Sequence, residues 1–178
     1  VYEGAFGYAD YDYRSKLDLE SAFQLASVSK MFTALAILIL KEEGKLDYDD
    51  SLKYYLPELP YPGVTIRHLL THTSGIGYGV IDGDERFKMI YEKAGIVDLF
   101  TTEDISIGEN VRKLASLPLH HNPGEKYTYS EGLDVLGYFV EVISGMPFDE
   151  FLRKRLFEPL GMEDTWFYLP KSKADRLV

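Results

Sequence analysis

The sequence predicts an α+β chain, mostly helical, with one or two strands of an incomplete antiparallel sheet. Three observations predict it. Residues 31–40 read Met-Phe-Thr-Ala-Leu-Ala-Ile-Leu-Ile-Leu, ten positions with one hydroxyl and no charge. A helix apolar on all sides is expected to be buried on every side, and ten residues are too few to cross a bilayer. Leu133, Leu136, Val140 and Ile143 then repeat at helical spacing up to Gly145. At the other extreme, residues 1–8 place Tyr2, Phe6 and Tyr8 on one side of an extended run, a strand with no visible partner. A lone strand is unstable, so either residues 165–169 supply a partner or the chain, read as one partial domain over 1–178, belongs to something larger.

The elements follow in order. Residues 9–20, acidic and tyrosine-rich, read as a loop into the central helix, which Gly44 terminates. Asp49 or Asp50 is expected to cap a short helix through Leu52, Tyr54 and Tyr55. Pro57, Pro60 and Pro62 forbid regular structure after it. Thr65 caps a helix over 66–70, and Gly75, Gly77 and Gly79 mark a turn-rich loop. Residues 83–94 form an amphipathic helix ended by Gly95. Ser106 with Glu109 spells a capping box for a helix through Leu114. A loop at Asn122-Pro123-Gly124 precedes the helix ended by Gly145, and Pro147 opens the last helix, to about Phe157.

Composition bounds the function. The chain has 178 residues, 46% hydrophobic and 27% charged, enough for one real core. A net charge of −10 argues against nucleic acid and anionic membrane surfaces as partners. The absence of cysteine excludes disulfide and thiol chemistry. His68 and His72 are four apart, yet Leu69 stands where a zinc-protease helix needs glutamate, so both read as structural. His120 and His121 read as solvated loop residues. Asp47, Asp49 and Asp50 read as a capped, solvated turn, since they lack the spacing and glycine of a calcium loop. Neither a metal nor a cofactor is expected.

The chemistry centres on Ser27-Val28-Ser29-Lys30, at the opening of the central helix. Ser27 and Lys30 are three apart and share a face. A serine hydroxyl needs a base to become a nucleophile, and a lysine amine serves as one when burial disfavours its ammonium form. With 11 serines and 12 lysines the spacing alone is expected about once by chance, so its context decides.

That context resembles the serine β-lactamase and penicillin-binding superfamily, in the branch of class C β-lactamases, D-alanyl-D-alanine carboxypeptidases and family VIII carboxylesterases. The likeness runs through Phe23-Gln24-Leu25-Ala26 into Ser27-Val28-Ser29-Lys30. It continues in Thr65-Ile66-Arg67-His68-Leu69-Leu70-Thr71-His72-Thr73-Ser74-Gly75 and in Pro123-Gly124 followed by Tyr127, Tyr129 and Ser130. Leu136-Gly137 with Ile143-Ser144-Gly145, then Phe157-Glu158-Pro159-Leu160-Gly161-Met162, complete it. The resemblance implies a β-lactamase/transpeptidase-like fold with Ser27 as the acylated nucleophile and Lys30 as the group that helps deprotonate it. It makes Tyr129 the proton relay across the cleft and the backbone N–H of Ser27 one oxyanion donor.

Two departures shape the expectation. Glu131 stands two residues after Tyr129, where the lactamase pattern has asparagine, and is taken as a substrate-binding position that favours esters over anionic β-lactams. The family's third motif, a Lys-Thr-Gly-like strand, is absent, because Lys93-Ala94-Gly95 lies before Tyr129. Members are roughly twice this length, so the chain resembles the N-terminal portion, which a separate C-terminal half or a second copy would complete. The implied function is a serine hydrolase working through an acyl-enzyme on small-molecule esters. A β-lactamase or D-alanyl-D-alanine carboxypeptidase acting on β-lactams or amides is the alternative, and a non-catalytic binding relative a further one.

Overall fold

The computed structural model describes residues 2–99 and 101–178. Two short strands, β1 (Tyr8–Asp10) and β2 (Ser15–Lys16), form an antiparallel hairpin, with Tyr8 opposite Lys16. This corrects the expected strand over 1–8. The strand starts at Tyr8, and its partner comes from the tyrosine-rich stretch read as a loop. Residues 165–169 form no strand; the chain's other C-terminal pairing is a single parallel bridge between Ala22 and Leu177.

The helical body is built on α1 (Ser29–Glu42) and α6 (Gly132–Ser144), which pack against each other. Around α6 lie α2 (Leu52–Tyr55), α3 (Ile66–Leu70), α5 (Ile107–Leu114) and α7 (Phe148–Leu152). α4 (Glu85–Lys93) flanks the turn that follows α3, and α7 runs on as one π-turn, Arg153–Phe157. Ile37, Leu40, Leu52, Leu69, Leu114, Phe139 and Phe151 are fully buried in one cluster, each side chain contributing about 1.5–3 kcal/mol by leaving water.

The caps show why these segments start and stop here. Thr65 and Ser106 each accept a hydrogen bond from the backbone N–H three residues on, and the side chains of His68 and Glu109 return the favour. Asp84, rather than residue 83, caps α4. Gly145 ends α6 in the left-handed region at φ +70°, which costs glycine nothing. The expected cap of α2 is corrected: Ser51 occupies that position without a side-chain bond, while the Asp50 carboxylate accepts from the Tyr55 hydroxyl at 2.6 Å and from the Asp47 N–H. Asp49 binds Arg67 through two hydrogen bonds and Asp47 binds Lys41.

The burial of α1 differs from expectation. Thr33, Ala36, Ile37 and Leu40 face the core, but Met31, Leu35 and Leu38 are 62%, 39% and 44% exposed. The helix is apolar all round, yet these residues cover only one side of it.

Candidate active site

The stretch that enters α1 is bent before the helix begins. Ser27 lies in a 3₁₀ turn, Ala26–Val28, one turn ahead of α1. Ala26 sits at φ +46°, a left-handed conformation that costs a residue with a Cβ of order 1 kcal/mol and persists where the surroundings impose it. The turn carries Ser27 to the surface, and its backbone N–H has no acceptor among the described residues. A free N–H at a helix entrance is a donor available to a developing oxyanion.

Tyr129 arrives from the far side of the sequence. Its hydroxyl donates to Ser27 Oγ at 2.8 Å. Lys30 is half-buried, with its amine 5.2 Å from the ring centre of Tyr129 and 5.3 Å from that of Tyr78. Where the sequence reading wanted burial of this amine, the structure gives partial burial against two aromatic faces, a favourable contact for a cation. Tyr78 and Tyr129 stack at 5.6 Å. The fold thus brings Ser27, Lys30 and Tyr129 together.

The segment bearing Tyr129 is anchored by His72. Its Nδ1 accepts from the Ser130 N–H at 3.1 Å and lies 3.0 Å from Ser130 Oγ, and its ring packs on Tyr129 at 4.7 Å. Burial, and after it the charge of Lys30, holds the His72 imidazole below its ordinary value. The Nδ1 of His68 accepts from the Thr65 N–H. His120 and His121 are not solvated, as a loop position suggested. His120 stacks on Phe87 beside Asp82, and His121 lies 3.0 Å from Thr128 Oγ1.

A cavity of about 220 Å³ opens beside Ser27. Lys30, Tyr78 and Asp134 give its polar wall, and Leu99, Ile107, Leu133, Phe148 and Phe167 its apolar one. Glu131 does not line it. Its carboxyl is buried behind the wall, with the side chain 3% exposed. Burial and then Asp98, within hydrogen-bonding reach, push the Glu131 carboxyl up to about 11, so it is neutral at pH 7 and can donate. The sequence reading treated it as a carboxylate. Burial also raises Asp134, against the pull of Lys30. Neither Tyr78 nor Asp134 was singled out in the sequence. No spacing links them to Ser27, and Asp134 is camouflaged as an ordinary first-turn acid of α6.

Known proteins are similar to this chain over nearly all of its length. Esterase EstB of Burkholderia gladioli is 40% identical over 94% of this chain and 44% of its own length. A penicillin-binding protein of Bacillus subtilis is 36% identical over 99% of this chain and 37% of its own. Among solved structures, EstCE1, described as a hydrolase with promiscuous acyltransferase activity, superposes with a TM-score of 0.85 at 34% identity, covering 96% of this chain and 45% of that one. The chain thus spans less than half the length of these relatives. The Beta-lactamase family model matches residues 1–178, and with it the fold and the entrance to α1 agree: the chain belongs to the Beta-lactamase family.

Proposed function

We propose that this chain carries the nucleophile half of a serine hydrolase that acts through an acyl-enzyme, with carboxylic esters as its substrates. The observation that carries the reading is the 2.8 Å hydrogen bond between the Tyr129 hydroxyl and Ser27 Oγ, made across 102 residues of sequence beside the Lys30 amine. Ser27 Oγ attacks the acyl carbon while its proton passes to the Tyr129–Lys30 pair. The oxyanion forms against the Ser27 N–H. The same pair then returns the proton to the leaving alkoxide, and water releases the acyl group in a second, equivalent cycle. The neutral, apolar wall supports an uncharged acyl chain. Glu131 is buried behind the wall, so its position presents to the cavity no donor that a β-lactam side chain would use, which favours esters over β-lactams or D-alanyl-D-alanine peptides; the similarity to a penicillin-binding protein keeps those as the second reading.

The exposed stripe of Met31, Leu35 and Leu38 supports a further part of the proposal. Additional chain, or a second polypeptide, covers this face of α1, completes the sheet and supplies the second oxyanion donor. Loss of one such donor costs about 10²–10³ in rate, so the 178-residue chain alone is expected to acylate slowly.

The test is intact-mass spectrometry after exposure to a fluorophosphonate. The expected result is one adduct, mapped to Ser27 and missing in Ser27→Ala. An adduct that survives in Ser27→Ala, or none in either the chain or its full-length parent, overturns the reading. Comparison of a chromogenic short-chain ester with a chromogenic cephalosporin then separates the two substrate classes.

A further inference from the structure

On and behind the polar wall beside Ser27 lie three carboxyl groups that the acyl-transfer chemistry leaves unassigned. Asp134, in the first turn of α6, lines the cavity together with Lys30. Among the described residues its Oδ2 is buried without a hydrogen-bond partner, as are Oδ1 of Asp98 and Oε1 of Glu131. Buried carboxyl oxygens are tolerated when a proton or a cation meets them. Glu131 and Asp98 meet each other, and one proton carried by Glu131 and accepted by Asp98 satisfies both orphaned oxygens. Asp134 lacks such a neighbour. The groups that act on it are Lys30 from α1, Asp98 from the loop after α4 and Tyr78 from the loop after α3, with Glu131 one turn earlier on its own helix. Of these only Lys30 can bring positive charge, and its amine in turn faces the rings of Tyr78 and Tyr129 and the charge-sensitive imidazole of His72.

We propose that Asp134 is a positioning residue for Lys30: its buried carboxyl, which shares the cavity wall with the amine, is the group whose ionisation sets the lower pH limit of Ser27 acylation. This rests on the Ser27–Lys30 reading above. In acylation the O–H bond of Ser27 breaks and an N–H bond forms on the amine, which becomes an ammonium. An ionised Asp134 offsets that new charge, so acylation falls away as Asp134 takes up a proton. Asp134 touches neither nucleophile nor acyl group in this scheme. Glu131 and Asp98, sharing a proton, lie behind it, and Lys30 is the one neighbour among these groups that favours its ionised form.

Two measurements test it. The first follows the Asp134 side-chain carboxyl by ¹³C NMR through a pH titration of the chain and of Lys30→Met, and needs no turnover. Loss of a facing ammonium is expected to raise the Asp134 midpoint by about 1–3 pH units; a midpoint that stays in place overturns the proposal. Lys30→Gln repeats the comparison with a polar side chain, should the methionine variant not fold. The second records the rate of fluorophosphonate labelling at Ser27 against pH. Asp134→Asn is expected to move the acidic limb down by about one unit or more, and Asp134→Glu to restore it. An unmoved limb counts against the pair. Absence of labelling in the unmodified protein sinks the hydrolase reading, and the NMR titration still decides whether the pair exists.

Discussion

His72 holds the Tyr129 segment through its backbone carbonyl, which accepts from the Thr128 N–H at 2.8 Å, and through one ring nitrogen, which must be unprotonated to accept from the Ser130 N–H. Its folded value is depressed, chiefly by burial. Its contribution to stability is therefore complete above the ordinary histidine value of 6.5 and is lost as pH falls through the lower folded value. Urea midpoints of the chain should decline as pH drops below about 6.5, and His72→Gln should flatten that part of the curve while costing about 1–3 kcal/mol at pH 7. A parallel curve for the variant would remove His72 from the account. Glu131 behaves with the opposite sign. Its folded value is raised, so its contribution is present below about 4.5 and erodes as pH climbs toward 11. Glu131→Gln, which keeps the donor without the titration, should gain in urea midpoint over the unmodified chain progressively from pH 6 to pH 9. A constant difference would show that the carboxyl is not buried as a neutral acid.

The helices are set by signals one or two residues wide. Thr65 and the Ser106–Glu109 pair could be read directly, because a cap bonds within its own turn and owes nothing to distant chain. The loop after α3 is different. Gly75 stands at φ +87°, and a Cβ there would run into the carbonyl oxygen of His121 while His120 N–H bonds the Gly75 carbonyl at 2.7 Å. Gly75→Ala should destabilise the chain by about 2 kcal/mol or more, since it combines a strained conformation with a backbone collision. Denaturant unfolding monitored by circular dichroism measures it, and a loss below about 0.5 kcal/mol would show that the loop relaxes. Sequence marked this glycine as part of a turn but carried no sign of the partner strand of chain, which arrives 46 residues later at His121. The hairpin was likewise misplaced, because a strand of three residues and one of two leave almost no period to read.

At the scale of the whole molecule the unfinished face of α1 dominates. Met31, Leu35 and Leu38, with Val28 beside them, leave an apolar stripe in water, and such a patch on an isolated chain promotes association. Sedimentation of the 178-residue chain should show self-association that Leu35→Glu with Leu38→Glu reduces, the helical circular dichroism being unchanged. Equal association in both would locate the sticky surface elsewhere, for instance at the exposed Tyr2, Phe6, Tyr11 and Tyr13.

The amino-acid sequence by itself determined the helix order, the caps, the placement of Ser27 and Lys30 one turn apart, and the family. These depend on local bonds and on short motifs. It predicted that α1 would be enclosed, since hydropathy reports what a residue prefers and not whether neighbours exist to satisfy it. The resemblance already set Tyr129 across the cleft; only the tertiary structure decided that its hydroxyl bonds Ser27 Oγ, that Lys30 rests beside two rings, and that Glu131 and Asp134 lie buried near it. Each of those facts joins parts of the chain about 50 to about 100 residues apart, and the charge state of a buried carboxyl is fixed by what surrounds it in space, not in sequence.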